Sequence, residues 1–574
     1  MDSEIVDTET KKELVALMDN EAELKQRFSS MLDFGTAGLR GIVGAGLNKM
    51  NIYTVRYATQ ALSQLILETD SKGADKGVCI AYDSRLFSEE FAWEAACTLS
   101  ANGISVYIFD ALRPTPELSF AIRELGAIAG INITASHNPK EYNGYKVYWE
   151  DGAQLPPQHA KQVSDLLKRM DIFEDVKTCS KEEAIHKGFI TVIGDEIDEK
   201  YIGKVLNESV GEKYVQLVDK NFRIIYTPIH GTGYQLVPEV LNRLGIKNLV
   251  TVPEQMKPDG HFPTTLSPNP EEKDALRLAI QLAEKEGIDL IIGTDPDADR
   301  VGIAVRNKEG EYVTVTGNQI GVLLLDYLIQ LRKRNNTLKE NAVVIKSIVS
   351  TNMAKRIAEQ NGIHLMDVLT GFKFIGEKIK EFERTNEYDF LFGFEESNGY
   401  LAGTYARDKD AIVASMLIAE MACYYRVQNM TLFDALGNLY EKYGYYNEQC
   451  ISITMDGLNG LEMIKSISFN LRNTPPTKFS DLSVVTIKDY QTGIVKNVLT
   501  NTNEQTGLPS ADVLFYELED GSSVIIRPSG TEPKLKIYIM VQADSQVSAE
   551  KKKDELGVYC KALIGKLSNH DLYI

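Results

Sequence analysis

The sequence contains few cysteines for its length, and no two of them are closely spaced. The 574 residues include six, at Cys79, Cys97, Cys179, Cys423, Cys450 and Cys560. No Cys-x-x-Cys pair occurs, which excludes a zinc knuckle and a dithiol redox motif. We expect these cysteines to be free thiols of a protein in a reducing compartment.

Long apolar runs and an excess of positive charge are also absent. The two most apolar segments, 320–331 and 411–425, are interrupted by Asp326 and Glu420. Both are shorter than the roughly 18–20 residues that a membrane-spanning helix needs. The chain carries 62 Lys and Arg against 81 Asp and Glu, a net charge of −19, which argues against binding nucleic acid or acidic lipid through bulk charge. The acidic N-terminal segment lacks the apolar core of a secretory signal, so we expect a cytoplasmic protein without nucleic-acid or membrane partners.

The length and the order of the apolar segments predict four domains. Helical and strand patterns alternate in three successive units, which predicts three α/β domains with mixed sheets. Short strands and a long helix at 547–567 predict a C-terminal α+β domain. We also expect one helix within the first thirty residues and a loop at 470–480, which contains Pro475 and Pro476. The expected domain limits are 1–208, 209–312, 313–446 and 447–574.

A polar loop with a candidate nucleophile follows the strand predicted at 129–133. Residues 134–146 read TASHNPKEYNGYK, and such a loop can expose the hydroxyl of Ser136 at the strand end. Pro139 disfavours a helix across the loop. Lys146 could return to the same space as an acid or base. An ordinary polar turn gives a similar pattern, but the GxSxG motif of serine hydrolases is missing.

Three aspartates alternate in the segment GTDPDADR, residues 293–300. Carboxylates this close repel one another unless a cation neutralises Asp295, Asp297 and Asp299. An EF-hand is excluded because its sixth and twelfth positions would be Arg300 and Arg306 instead of Gly and Glu. The loop therefore favours Mg²⁺, with positions left for phosphate oxygens, over an acidic solvated turn.

The segment GFEESNGY, residues 393–400, follows another apolar strand. Glu395 and Ser397 could form hydrogen bonds with neighbouring sugar hydroxyls. Adjacent glutamates point in different directions, which argues against the carboxylate pair of a glycosidase. The alternative is a turn at the start of a helix.

The segment RPSGTEPK, residues 527–534, combines an arginine, two hydroxyls and a glycine in a tight loop. Such a loop can hold an anion with side chains and backbone amides. It lacks the GxxxxGK[ST] pattern of a nucleotide-binding loop, so it does not indicate ATP. An ordinary turn between strands is the alternative.

Three weaker segments add to these four. FGTAGLRG is glycine-rich and contains Arg40, and the segment 370–373 starts a helix at which backbone amides and Lys373 would favour an anion. We interpret the HGTG segment at 230–233 as structural.

Taken in order, the motifs resemble the α-D-phosphohexomutase family. TASHNP, DPDADR, GFEESNGY and RPSGTEPK occur in this order between about residue 34 and about residue 560. GTAGLRG and FEESNGY are most similar to the long phosphoglucomutase/phosphopentomutase-like branch. The resemblance implies three α/β domains and a TATA-box-binding-like α+β domain around a central cleft.

The resemblance also implies a reaction. It implies an isomerase of carbohydrate metabolism that interconverts α-D-glucose 1-phosphate and glucose 6-phosphate through a phosphoserine enzyme and a glucose 1,6-bisphosphate intermediate, which also acts as activator. The implied ligands of Mg²⁺ are phosphorylated Ser136, Asp295, Asp297 and Asp299. The implied catalytic residues are Ser136, Lys146 as acid/base, Arg40, Arg300 and His137. The implied substrate-binding residues are Glu395, Ser397, Lys373, Lys346, Arg527, Ser529, Gly530 and Thr531.

The sugar and the catalytic status stay open at this point. The Thr-Gly-Phe-Lys and Ser-Asn-Gly-Tyr segments favour glucose over mannose, but phosphomannomutase and phosphopentomutase activities are alternatives. A non-catalytic sugar-phosphate-binding protein and a metal-dependent phosphatase are alternatives from other classes. We expect small sugar phosphates as partners and a monomer or a weak homodimer.

Overall fold

The structure, a computed structural model, describes residues 5–35, 38–455, 460–529 and 534–568. Four main sheets follow one another along these residues, and the predicted order of three α/β units and one α+β unit is confirmed. All six cysteines are free. Among the helices of the described residues, none is long and apolar enough to cross a membrane.

Two short helices, not one, precede the first sheet. They are α1 (Thr8–Ala16) and α2 (Glu21–Phe28). The side chain of Asn20 accepts a hydrogen bond from Glu23 N and so caps the second helix, which is why the expected single helix is divided. The helices are tied to the first unit by Asp7, which accepts a hydrogen bond of 2.7 Å from the Tyr53 hydroxyl.

The first unit contains a six-stranded sheet in the order β1-β5-β4-β2-β3-β6. Its elements are β1 (Gly38–Ile42), α3 (Ile52–Thr69), α4 (Gly73–Lys76), β2 (Val78–Tyr82), α5 (Ser88–Ala101), β3 (Val106–Phe109), α6 (Thr115–Leu125), β4 (Ala129–Ile133), β5 (Tyr142–Trp149), α7 (Pro157–Leu167), α8 (Lys181–His186) and β6 (Ile190–Ile193). β2 and β4 are parallel and fully buried, as expected for apolar strands in the middle of a covered sheet. The loops that follow them therefore emerge at the same edge.

The second unit contains a sheet in the order β11-β10-β9-β7-β8. Its elements are α9 (Asp195–Asn207), α10 (Glu212–Leu217), β7 (Ile224–Thr227), α11 (Gly233–Leu244), β8 (Leu249–Thr251), α12 (Pro253–Met256), α13 (Arg277–Glu286), β9 (Leu290–Thr294), β10 (Val301–Arg306) and β11 (Tyr312–Val315). β11 pairs with β10 up to Val315. The expected limit at residue 312 is therefore too early, because it separates β11 from its partner strand.

The third unit contains a sheet in the order β13-β12-β14-β15. Its elements are α14 (Gly317–Arg334), β12 (Ala342–Ser347), α15 (Met353–Asn361), β13 (His364–Val368), α16 (Phe372–Thr385), β14 (Asp389–Glu395), β15 (Gly399–Leu401), α17 (Ala411–Val427) and α18 (Leu432–Tyr443). The apolar segment 411–425 is buried throughout within α17. One hydrophobic core extends through the first three units, so their loops are held in fixed relation to one another.

The fourth unit is an antiparallel sheet with its own core. Its elements are β16 (Tyr445–Thr454), α19 (Gly460–Asn473), β17 (Lys478–Phe479), β18 (Leu482–Asp489), β19 (Ile494–Asn497), β20 (Thr502–Gln505), β21 (Leu514–Leu518), β22 (Ser523–Pro528), β23 (Lys534–Ala543) and α20 (Gln546–Ser568). The helix predicted at 547–567 is confirmed. The predicted loop at 470–480 is too long, because α19 continues to Asn473 and β17 occupies 478–479. β16 begins two residues before the expected limit at 447.

Glu420 joins α17 to α14 and to the segment between α9 and α10, and its replacement tests how much this contact stabilises the fold. This fully buried carboxylate on α17 accepts hydrogen bonds from Tyr327 Oη at 2.7 Å, from Val210 N at 3.1 Å and from the Ser209 hydroxyl. We expect Glu420→Ala to lower the free energy of unfolding by about 3 kcal/mol, because it leaves buried donors unpaired. Glu420→Gln should cost less, since its amide oxygen still accepts.

Urea denaturation followed by circular dichroism measures this difference. The control is Glu441→Ala, at an exposed position of α18, which should change stability by less than about 0.5 kcal/mol. An equal midpoint for Glu420→Ala and the wild type would contradict the expectation.

Candidate active site

Three of the predicted loops meet where β4, β9 and β14 end. Ser136 Oγ of the first loop donates a hydrogen bond of 2.7 Å to Asp295 Oδ2 of the second. Burial raises the pKa of the Glu395 carboxyl in the third loop, and the nearby charges of Lys409 and Arg300 oppose part of this shift. Side chains from three units therefore share one buried space.

Ser136 has a left-handed backbone conformation, with φ of 53°. Its N–H donates a hydrogen bond of 2.8 Å to Thr134 Oγ1, and the residue is only 3% exposed. For a residue other than glycine this conformation costs about 1–2 kcal/mol. The strained turn directs the hydroxyl toward the aspartate loop.

The three aspartates form the one group of potential metal ligands found among the described residues. Ligand atoms of Asp295, Asp297 and Asp299 all lie within 4.8 Å of one another, and all three residues are buried. Asp297 Oδ1 and Asp299 Oδ1 accept no hydrogen bond from the described part of the chain. Burial raises the pKa of Asp295 well above its ordinary value, and the two neighbouring carboxylates raise it further. The donor set and its excess negative charge fit a hard divalent cation.

Two ammonium groups flank this cluster. Lys146 Nζ lies 2.7 Å from Asp297 Oδ2 and 3.7 Å from Asp299 Oδ2. Burial works against ionisation of Asp297, but Lys146, Asp295 and Thr115 together outweigh it, so the pKa of this carboxyl is lowered. Lys409 Nζ lies 3.1 Å from Asp299 Oδ2 and 3.0 Å from Asp408 Oδ1.

Lys409 was missed at the sequence level. Burial alone would lower its pKa, but Asp299 and Asp408 raise it above the ordinary value. The available signal was the charged run 407–410 directly before the apolar segment of α17. Charges in front of a buried helix need partners, which Lys409 finds at Asp299 of the aspartate loop and at Asp408.

Thr115 at the start of α6 was also missed. Its N–H donates to Asp297 O and its hydroxyl to Asp297 Oδ2, both at 2.9 Å. The HGTG segment supports the same loop: a Cβ on Gly231 would lie 2.4 Å from Pro296 Cα, and Thr232 N donates to Pro296 O at 2.8 Å. This agrees with the structural interpretation of the segment.

His137 lies beside the serine, and the charges of Arg40 and Arg300 act on His137. Arg40 Nη1 donates a hydrogen bond of 3.1 Å to Asn138 Oδ1, and His137 Nδ1 lies 3.2 Å from Ser136 Oγ. Burial lowers the pKa of His137 well below its ordinary value, and Arg300 and Arg40 add to this effect. The imidazole is therefore neutral near pH 7.

Glu395 connects two of the predicted sugar and anion segments. It ends β14, and its Oε1 accepts a hydrogen bond of 2.6 Å from Gly371 N, at the start of α16. Lys373, in the first turn of that helix, lies 5.2 Å from the ring centre of Phe374, and burial lowers the pKa of its ammonium. Ser397 is half-buried.

Lys346 lies on β12 opposite Phe394, the residue before Glu395, and its ammonium is bound within its own unit. Its side chain is 1% exposed, and Nζ contacts Asp367 Oδ1 at 2.8 Å and Ser350 O at 3.0 Å. These partners belong to the third unit, so the structure gives Lys346 an anchoring position within that unit.

The fourth predicted segment lies between β22 and β23 in the chain, and residues 530–533 of it are outside the described part. Arg527 pairs with Lys536 across the two strands, and Ser529 N donates to Lys534 O at 2.8 Å. Gly530 and Thr531 lie outside the described residues. The described strands on either side, β22 and β23, pair in an antiparallel manner.

A cavity of about 590 Å³ opens beside Arg40 and Lys146. Its lining includes Leu39, Tyr142, Tyr145 and Gln154. Its volume is typical of small-molecule sites, and the Ser136 loop lies between β4 and β5, next to this lining.

Comparison with known proteins identifies the family. The chain matches the phosphoglucomutase/phosphomannomutase family in its alpha/beta/alpha domains I, II and III over residues 31–172, 199–310 and 316–443, and in its C-terminal domain over residues 487–556. It is 36% identical to a phosphoglucomutase of Staphylococcus saprophyticus, over 92% of this chain and 93% of the relative. It is 37% identical to a phosphoglucomutase of Staphylococcus haemolyticus, over the same shares of the two chains.

Solved structures share the fold over nearly the whole length. The open form of parafusin from Paramecium, described as a phosphoglucomutase, gives a TM-score of 0.68 at 18% identity, covering 94% of this chain and 96% of its own. A putative phosphomannomutase from Thermus thermophilus gives 0.67 at 20% identity, covering 93% and 99%. With all four family domains matched in order, the chain belongs to the phosphoglucomutase/phosphomannomutase family, the α-D-phosphohexomutases, which are isomerases.

Proposed function

We propose that this protein is a phosphoglucomutase that carries the phosphoryl group on Ser136. The observation that carries the proposal is the contact of 2.7 Å between Ser136 Oγ and Asp295 Oδ2. It brings a strained, nearly buried hydroxyl against a carboxylate cluster in which two oxygens accept no hydrogen bond from the described residues. Relatives at 36–37% identity are named phosphoglucomutase, which supports glucose as the main sugar.

Asp295, Asp297, Asp299 and the phosphate of Ser136 would hold Mg²⁺. The ion, when bound, supplies positive charge that polarises the phosphoryl oxygens. The protein's part is to keep three carboxylates within 4.8 Å of one another and to hold Lys146 and Lys409 beside them. These two ammonium groups balance the negative charge of the cluster.

In the first transfer the Ser136 Oγ–P bond breaks and a bond forms from phosphorus to the free hydroxyl of the sugar monophosphate. We assign Lys146 as the acid/base, with Lys409 as the second candidate: its ammonium gives a proton to the departing Ser136 Oγ, and the amine so formed takes the proton of the sugar hydroxyl. Both Nζ atoms lie within 3.1 Å of an aspartate of the cluster. Arg40, Arg300 and neutral His137 would stabilise the charge of the transferred group.

The product of the first transfer is glucose 1,6-bisphosphate, which must reorient before its other phosphate returns to Ser136. Glu395 and Ser397 would hold sugar hydroxyls in both orientations, with Lys373 beside them. The non-reacting phosphate would bind to the fourth unit, at Arg527, Ser529, Gly530 and Thr531. Free glucose 1,6-bisphosphate would act as activator because it rephosphorylates an empty Ser136.

Replacing the nucleophile tests the proposal directly. We expect Ser136→Ala to lower kcat by roughly 10⁴-fold or more, because no other hydroxyl can carry the phosphoryl group. A coupled assay for glucose 6-phosphate formed from glucose 1-phosphate, with glucose 1,6-bisphosphate present, measures the loss. Ser267→Ala is the control, since Ser267 Oγ lies 3.4 Å from His137 O without touching the cluster. Substantial activity in a folded Ser136→Ala variant would refute the assignment.

Metal removal gives a second test. We expect EDTA to stop turnover and added Mg²⁺ to restore it, because the buried carboxylates then lose and regain their counter-charge. In titration calorimetry Asp299→Asn should bind Mg²⁺ about 10-fold or more weakly. Asp274→Asn, an exposed aspartate of the same unit, should bind it like the wild type. Full activity in EDTA, or an unchanged affinity in Asp299→Asn, counts against the site.

The sugar is tested by running glucose 1-phosphate, mannose 1-phosphate and ribose 1-phosphate in parallel. We expect kcat/KM for glucose 1-phosphate to exceed the other two by about 10-fold or more. Preference for mannose or ribose would keep the phosphoserine mechanism and correct the specificity. Absence of turnover on all three would favour a protein that only binds sugar phosphates.

A further inference from the structure

Arg85 is a buried arginine that the reaction outlined above does not use. It follows β2 and is 3% exposed. The side-chain Nε of Arg85 lies 3.3 Å from Asp83 Oδ2, and the backbone N–H of Arg85 donates to Asp83 Oδ1 at 2.9 Å. Asp83 Oδ1 also accepts a hydrogen bond of 2.7 Å from the Ser88 hydroxyl. The guanidinium is therefore held in one orientation by a carboxylate that is itself fixed.

The terminal nitrogens of Arg85 donate to backbone carbonyls of the Ser136 loop. Nη1 donates to Pro139 O at 2.8 Å and to Tyr142 O at 3.0 Å. Nη2 donates to Ser136 O at 2.5 Å and also to Asn138 O. A planar guanidinium can hold several carbonyls at once because its donors have a fixed fork geometry, whereas one ammonium is a compact point charge.

The second unit covers the other side of Arg85. The ring centre of Phe262 lies 5.1 Å from Arg85 Cζ, and Phe262 is 2% exposed. The approach is close: a Cβ on Gly260 would lie 2.4 Å from Leu86 N. The guanidinium is thus enclosed between the Ser136 loop and a loop of the unit that carries the aspartates.

This covering loop is tied to the aspartate loop through His230. The two ring nitrogens of His230 lie 3.0 Å from Lys257 O and 3.0 Å from Thr264 Oγ1. The next residue, Gly231, packs directly on Pro296. Contacts therefore run without a break from the aspartate loop, through the covering loop, to Arg85 and the Ser136 loop.

We propose that Arg85, backed by Phe262, is a positioning residue that keeps Ser136 in the left-handed conformation from which its hydroxyl reaches Asp295. The inference rests on the proposed role of Ser136 as phosphoryl carrier. Thr134 Oγ1 binds the N–H of Ser136 and Arg85 binds its carbonyl, so both peptide groups that define the turn are fixed. Without the fork, the strain at Ser136 favours relaxation to an ordinary turn that moves Oγ away from Asp295.

Arg85→Lys and Phe262→Leu test the inference. For Arg85→Lys we expect kcat on glucose 1-phosphate to fall by about 10²-fold, as expected for a misplacement of about 1 Å at the reacting atom. KM should stay within about threefold, because the sugar and phosphate loops are unchanged. The rate at which glucose 1,6-bisphosphate phosphorylates Ser136, followed by intact-protein mass spectrometry, should fall by a similar factor. Phe262→Leu should show the same pattern to a smaller extent.

Arg113→Lys is the matched control. Arg113 is also a buried arginine of the first unit, 4% exposed, and its Nε and Nη2 each donate a hydrogen bond of 2.9 Å to Asp198. Arg113→Lys therefore removes a comparable guanidinium without altering the Ser136 loop, and we expect wild-type kcat. Hydrogen exchange of the amides in residues 134–142 should be faster in Arg85→Lys and Phe262→Leu than in Arg113→Lys.

The outcomes separate this inference from the proposed function. Wild-type kcat and wild-type phosphorylation of Ser136 in Arg85→Lys would overturn the inference, as would an equal loss of kcat in Arg113→Lys. If Arg85→Lys does not fold, kcat and the rate of Ser136 phosphorylation in Phe262→Leu test the inference instead, and wild-type values of both would overturn it. A wild-type protein that takes up no phosphoryl group on Ser136 would overturn the proposed function, and the inference with it.

Discussion

The structure depends on a buried cluster of three carboxylates whose charge must be balanced by other parts of the chain. Asp295, Asp297 and Asp299 are at most 2% exposed, and buried charges are strongly unfavourable unless they are paired. Lys146 of the first unit and Lys409 of the third supply the opposite charge. The first and third units must therefore stay packed against the second. This agrees with the single hydrophobic core that joins the three units.

Backbone strain is concentrated in the loops that build the site. Ser136, Ala298 and Asn398, one in each of the three loops, have left-handed conformations with φ of 53°, 49° and 60°. Such residues persist only where surrounding contacts fix them. Here the contacts cross between units: Ala411 N, at the start of α17, donates to Ala298 O, and Asn398 O accepts from Val301 N. The conformation of these loops therefore depends on how the units pack against one another.

The fourth unit stands in a different relation to the site. It has its own core and meets the third unit through a smaller apolar cluster, in which Ile348 and Leu369 pack with Tyr538 and Met540. It carries the Arg527 loop but contributes no aspartate, and no ammonium contact to the cluster is found in its described residues. A unit joined in this way can close over a substrate without disturbing the carboxylates, and closure would keep water from a phosphoserine.

The sequence by itself determined the order of the units and the chemistry of each loop. Apolar runs followed by TASHNP, DPDADR and FEESN are local patterns. β4 and β9 end where these patterns predict, whereas β14 continues two residues into FEESN, to Glu395. The sequence did not show which distant side chains meet at the candidate active site. Lys409, Thr115 and Arg85 were missed, because burial and pairing depend on contacts between residues far apart in the chain. These positions depend on the tertiary structure, because each buried charge lies beside a partner that offsets the free-energy cost of its desolvation.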